Sequence, residues 1–368
     1  SIEYVAQVWE TGYDSLQNAI GSEWDEKTIL VLKDTTEDIV IPAWKTITLQ
    51  FEEWIKLSNN GSHTITNNGS LIINGNWTVD NTTNEKASVY NNTWWILTIN
   101  AWNFLRSQEV WVDKSNNGWN SYYTVKNIWI MTINWWNFYN SWAYSSMFAN
   151  GYYSETELKA ANGWETTPTV TPKLTINAWT FDGGLNTVKN DDFWVLEVNG
   201  GVFTNQAQTA FQNHNIAIIK WWEFKPKNSA SSSIMLWAWG TAANKWEIEI
   251  ITGSFKGWIS LQNENKSWHA LMIKWGVFEK IGENEIFPSI HLINTIIQWW
   301  IFAEDPKDYV STGYTVVKNE DSFIVESLKE ASEESSNTNI VQVAEKTTIT
   351  TWSTDPIKIE DIETYFSW

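Results

Sequence analysis

The chain has no cysteine, one arginine (Arg106) and only 18 glycines in 368 residues. Without cysteine there is no disulfide, no thiolate nucleophile and no thiolate metal site. Basic residues are also scarce: 24 Lys and Arg face 43 Asp and Glu, giving a net charge of −19. No basic stripe exists to displace counterions from phosphates, which excludes nucleic acid as a partner and disfavours docking on anionic lipid. No apolar run approaches the ~18 residues of a membrane span, so no membrane insertion is expected. His63, His214, His269 and His291 lack metal-ligand spacing. No twelve-residue calcium loop, calcium-binding nonapeptide array, phosphate loop or Ser-His-Asp pattern is present. No metal and no cofactor is expected. The chain starts at Ser1 with no signal-peptide pattern, which reads as a mature form or an excised fragment.

What the chain has in excess is tryptophan, 29 residues of it. Tryptophan and glycine trade places in one recurring slot. Leu-Glu-Val-Asn-Gly-Gly-Val-Phe (196–203) stands beside Met-Thr-Ile-Asn-Trp-Trp-Asn-Phe (131–138). Glycine has no side chain and tolerates positive φ, whereas tryptophan is the largest residue, so no packing environment accepts both equally. Tryptophan also stands where turn chemistry wants glycine, as in Ile-Pro-Ala-Trp-Lys-Thr (41–46) and Asn-Gly-Asn-Trp-Thr (74–78). Glycine itself falls below its usual share of roughly 7%. The large excess of lysine over arginine fits an AT-rich gene. We read most of the tryptophans as UGA codons, which some bacterial lineages decode as glycine. The rival reading is a true Trp-rich surface that stacks on sugars.

The slot belongs to a repeat of the form apolar–x–apolar–Asn–small–Gly/Trp–x–Phe. It occurs as Leu-Thr-Ile-Asn-Ala-Trp-Asn-Phe (97–104), Leu-Thr-Ile-Asn-Ala-Trp-Thr-Phe (174–181) and Leu-Met-Ile-Lys-Trp-Gly-Val-Phe (271–278), among others. Its phenylalanines fall at 104, 138, 181, 203, 224, 255, 278 and 302, with shortest steps of roughly 21 to 24 residues, a solenoid period. Alternating apolar residues such as Leu97 and Ile99 turn one face of a short strand inward. The small pair turns the chain, and Phe re-enters the core past the corner. Stacked coils then put Phe on Phe and Asn on Asn. This predicts an all-β parallel β-helix. The Leu-x-x-Leu-x-Leu consensus of leucine-rich repeats is missing, and a propeller blade needs about 40 residues.

Three regions are expected. Residues 1–27 form an N-terminal cap, with a short helix near 13–20 that turns Leu16, Ala19 and Ile20 to one side and uses Asp14 or Ser15 as N-cap. Residues 28–302 form the β-helix, with inserted loops near 105–127 and 139–173 that share one face of the stack. Residues 303–368 hold a C-terminal cap, a charged helix or linker, and an α+β or β extension.

Tyr-Asp-Ser-Leu-Gln-Asn-Ala-Ile (13–20), Ile-Pro-Ala-Trp-Lys-Thr-Ile-Thr-Leu (41–49) and Gly-Leu-Asn-Thr-Val-Lys-Asn-Asp-Asp (184–192) make most of residues 1–320 resemble the secreted, right-handed parallel β-helix repeat proteins of gut-type bacteria and their phages. These are adhesin-like surface proteins. Members carry glycine where this chain has Trp9, Trp44, Trp77, Trp102, Trp136 and Trp179. The resemblance implies a right-handed coil, an extracellular or cell-surface location and a binding or scaffolding role. It supplies no catalytic residues.

The function expected is therefore non-catalytic: an adhesin-like rod that binds glycan or a partner cell surface through its inserted loops. Tyr122, Tyr123, Tyr144, Phe148, Tyr152 and Tyr153 are the candidate contacts, because aromatic rings stack on sugar faces. Their other role is to cover the flank of the coil. A polysaccharide lyase or hydrolase is the alternative. It would use Asp182, Asp191 and Asp192, with His214 and Lys220 one coil on, since such hydrolysis needs paired carboxylates. Against it, Gly-His-Gly and Arg-x-Lys are absent, and Asn-Asp-Asp (190–192) also reads as a turn cap. A phage fibre or spike is a further alternative. Thr-Ile-Thr occurs near 46–48, 64–66 and 348–350, too scattered in the sequence for a flat ice-binding threonine array.

Overall fold

The computed structural model describes residues 4–328 apart from 84–85, 93, 108–122, 135–136, 141–145, 152–171, 178–179, 185, 192–193, 206–208, 222, 226, 228–231, 238–246, 258, 263–269, 280–294, 298–299, 304 and 308–309. The chain winds through three rows of short strands, and each strand pairs in parallel with its equivalent one coil away. The first row runs from Glu26–Val31 through Thr46–Phe51 and Lys173–Ile176 to Thr295–Ile297. The second runs from Thr35–Thr36 and Lys56–Ser58 to Trp300–Phe302. The third is a nine-stranded sheet from Ile39–Ile41 to Ile259–Gln262. This is a parallel β-helix, as the repeat predicted.

Register explains why the repeat has its form. Leu97 pairs with Leu71 and Met131, and Ile99 with Ile73 and Ile133. The apolar positions therefore build continuous inward columns, and all six of these residues are buried. The phenylalanines stack: Phe104–Phe138 and Phe138–Phe181 lie 5.1 Å apart, Phe181–Phe203 4.4 Å and Phe255–Phe278 4.8 Å. Between the first and second rows the chain bends two residues before each Phe. Gly201, Gly253 and Gly276 occupy that bend with φ of 140, 154 and 138°, a region that side-chain-bearing residues rarely enter.

Asparagine forms two ladders. The expected one joins Asn74, Asn100, Asn134, Asn177 and Asn199, with each side-chain N–H donating to the previous residue's Oδ1 over 2.6 to 3.0 Å. It is half-buried on the outer side of the first row. The second ladder, which the repeat phrase does not contain, is wholly buried. Asn67, Asn91, Asn127, Asn150, Asn190 and Asn213 hydrogen-bond in sequence over 2.7 to 2.9 Å at the end of the third row. Their amides also donate to backbone carbonyls, for example Asn91 to Ile130 and Asn190 to Ile216. The ladder amides are thus matched along the stack.

Both ends of the described coil depart from parallel pairing. Helix Leu16–Gly21 is capped by Ser15, whose hydroxyl accepts from the Asn18 backbone N–H, and it buries Leu16, Ala19 and Ile20. Beside it, the antiparallel hairpin Ala6–Val8/Thr11–Tyr13 pairs with Glu26–Val31. At the other end, the hairpin Tyr314–Asn319/Ser322–Ser327 pairs antiparallel with Trp300–Phe302.

The two ladders should respond differently to truncation. Asn127→Ala removes the acceptor of one Asn91 amide N–H and the donor to Asn150 Oδ1 in the interior. Urea unfolding should show a loss of about 2 kcal/mol, from the unsatisfied groups left behind. Asn134→Ala lets water replace the missing amide and should cost under about 1 kcal/mol.

Candidate functional site

The expected contact residues separate into core and loop. Phe148 lies in the third-row strand Phe148–Asn150 and is fully buried, edge-on to Phe138 at 4.6 Å and to Phe181 at 5.2 Å. It is a core residue, which corrects its assignment as a surface contact. The reason is register: Phe148 pairs with Val125 and Val188, both inward-facing. Tyr123 precedes the strand Val125–Asn127 and is also buried, with the Lys126 ammonium 5.2 Å from its ring centre. Tyr122, Tyr144, Tyr152 and Tyr153 lie outside the described residues. The topology does place their segments. Residues 108–122 and 141–145 join the second row to the third, and 152–171 join the third to the first.

The carboxylates of the alternative reading are not brought together. Asp182 sits in the second-row strand Thr180–Gly183, where Thr204 donates to it and Lys227 pairs with it, both at 2.5 Å. Asp191 follows the third-row strand Asn186–Asn190. That strand alone separates the two by about 13 Å, beyond the roughly 5 to 9.5 Å of a hydrolase pair. Asp192 lies outside the described residues.

Asp191 instead joins a buried polar cluster. Lys189 pairs with it at 3.2 Å, and His214 stands close enough to feel both charges. The Gln212 side-chain N–H donates to His214 Nε2 at 2.9 Å, and Gln212 Oε1 accepts from Asn186 at 2.6 Å. Burial holds the His214 imidazole near pKa 4, the Lys189 charge lowering it further against the pull of Asp191. A neutral ring with an acceptor Nε2 is the form this contact requires. His63 is lowered to about 4 too, by burial and then by Lys86 and Lys126, and its Nδ1 accepts from the Ala87 N–H at 2.9 Å. Lys189, Asp191 and His214 are each at most 4% exposed, so the cluster is enclosed. Among the described residues no group of His, Asp and Glu could hold a metal ion.

The tryptophans divide by backbone conformation. Five non-glycine residues among those described have positive φ, and four are tryptophan: Trp9 (51°), Trp44 (59°), Trp54 (68°) and Trp94 (73°). All four are more than half exposed. Trp44 is the third residue of a turn closed by the Lys45 N–H donating to the Pro42 carbonyl at 3.3 Å, a position that favours glycine when φ is positive. Trp77 is buried, with its ring centre 3.0 Å from that of Phe51 and nearly parallel to it. Its indole N–H has no hydrogen-bond partner among the described residues. Trp194 differs: its indole N–H donates to the Ile128 carbonyl at 3.2 Å within a closed fit against Gly151. Trp136, Trp179 and Trp222 lie outside the described residues.

Comparison with known proteins adds no assignment: no family model, curated protein or solved structure matches the chain.

The histidines set the acid limit of the fold. Their folded pKa values lie below the unfolded 6.5, so the unfolded chain takes up protons first as pH falls. The stabilisation is complete above pH 6.5 and is lost between 6.5 and 4, roughly 3 kcal/mol for fully buried His214. Glu197, held near pKa 2 by hydrogen bonds from Lys173 and Lys220, adds a further loss below about pH 4.5. The urea midpoint should stay level from pH 8 to 7 and then fall steeply. His214→Gln should flatten the fall between 6.5 and 4, and an unaltered slope would remove His214 as its source.

Proposed function

We propose that the chain is a non-catalytic, adhesin-like β-helix of the cell surface or extracellular space, which binds glycan through the insertions flanking its third row. The observation that carries this reading is the division of labour within the coil. An uninterrupted ladder of Asn and Phe supplies rigidity, and the long insertions leave from corners that adjoin a single row. The buried aromatics Tyr123 and Phe148 belong to the scaffold, so the loop tyrosines Tyr122, Tyr144, Tyr152 and Tyr153 are the contact set. The enclosed Lys189–Asp191–His214 cluster and the separation of Asp182 from Asp191 weigh against hydrolysis.

Within this reading, Trp9, Trp44, Trp54, Trp77 and Trp94 stand for glycine encoded by UGA. Four positive φ values and the unpartnered buried indole N–H of Trp77 support it. Trp194 keeps its identity. The exposed tryptophans are then turn residues and not a sugar-stacking face.

A glycan array separates a binder from a passive spacer. The expected result is retention on a subset of glycans, lost on replacing 108–122 by a short turn. Release of reducing ends or unsaturated sugars from any polysaccharide would establish an enzyme instead. For the decoding, the gene should carry UGA at positions 44, 54 and 94, and UGG there would refute it. Independently, Trp44→Gly should raise unfolding free energy by about 1 kcal/mol, the strain of a left-handed non-glycine residue.

A further inference from the structure

The outer side of the first strand row presents an ordered set of side chains. Four successive strands, Thr46–Phe51, the first half of Ser70–Asp80, the first half of Ile96–Leu105 and Ile130–Ile133, stack here in register. Their outward positions carry no charged residue, although the chain as a whole has net charge −19. Charge returns only at the margins, with Glu26 on one side and the Lys173–Glu197–Lys220 group on the other. The neutral patch measures about 13 Å along the strands and about 14 Å from rung to rung.

Its chemistry is ordered in columns. Thr48, Ile72, Thr98 and Thr132 succeed one another in register. Thr48, Thr98 and Thr132 therefore share one outward line, interrupted by Ile72. Beside it runs the half-buried ladder of Asn74, Asn100 and Asn134. A primary amide has two N–H donors and two acceptor lone pairs. The ladder uses one of each, leaving the others to face outward at every rung. Ile72 and Ile96, 37% and 49% exposed, add bare apolar area. Polar groups in rows beside aliphatic ones match a sugar ring, which presents hydroxyls at its edge and C–H groups on its face.

From this we infer that the first-row face binds a neutral, unbranched polysaccharide lying across the rungs. The absence of charge on this face of an acidic chain selects the polymer, because an anionic polysaccharide is repelled by the surroundings and gains no cation here. The inference deepens the glycan-binding reading and rests on it: the polymer held by the loops also lies on this sheet face.

Affinity gel electrophoresis in gels containing mixed-linkage β-glucan, glucomannan or polygalacturonate tests this. The intact chain should be retarded by at least one of the two neutral polymers and pass polygalacturonate freely. The double variant Thr98→Glu/Thr132→Glu should lose at least 10-fold in affinity. Thr66→Glu, an outward position of the third row, should bind like the unaltered chain. Equal thermal midpoints for all three show that the fold is kept. Binding unchanged in the double variant, or lost only when 108–122 is shortened, overturns the sheet-face assignment and leaves glycan binding standing. Retardation by polygalacturonate alone overturns the neutral-polymer class. Shaping of ice crystals without retention by any polymer identifies a water lattice as the occupant and overturns the inference. If no glycan is bound in these gels or on the array, this inference and the glycan reading fall together.

Discussion

Like stacks on like, and everything else in this fold follows from that constraint. An asparagine amide buried in a protein interior must find partners or cost the fold free energy. Here it finds the same amide one rung above and one rung below. The requirement fixes register more sharply than apolar packing does, because slipping one residue would turn the whole Asn column outward. Once register is fixed, Phe must fall on Phe and the corner bends must coincide. The phenylalanine column and the two amide ladders are therefore one mechanism seen in three places.

Much of this was legible in the sequence, because a solenoid writes its register as periodicity. The eight phenylalanines, the Leu-x-Ile pairs and the helix at Leu16 were read directly. The buried ladder from Asn67 to Asn213 was not. Its signal is only an apolar residue, one outward residue and Asn, as in Val-Tyr-Asn (89–91) and Val-Lys-Asn (125–127), with insertions of unequal length hiding the period. The antiparallel hairpin at Ala6–Tyr13 was missed for a related reason: it occurs once, so nothing repeats to reveal it. Phe148 misled because it lies in an aromatic-rich stretch. Only the register of Phe148 with Val125 and Val188 shows that it points inward.

The acidic candidates illustrate what a linear reading cannot supply. Asp182 and Asp191 are nine positions apart, and a compact fold could join them. In a coil, the same spacing spans a full strand and places them at its two ends. The structure instead gathers Asp191, Lys189, Gln212 and His214, which alternate along neighbouring third-row strands and meet between adjacent rungs. Such a cluster holds its neutral imidazole by enclosure, so it reports on the integrity of the coil at that height.

The terminal hairpin has a mechanical meaning. Hydrogen bonds between rungs point along the stack, so a pull between the two ends loads them in series, and the thinnest junction yields first. Strand Trp300–Phe302 meets the closing hairpin through three residue pairs and Glu26–Val31 meets the opening hairpin through two, whereas Glu26–Val31 meets Thr46–Phe51 through six. Under tension an end hairpin peels away before the body of the rod gives, releasing slack in a small first step and acting as a fuse.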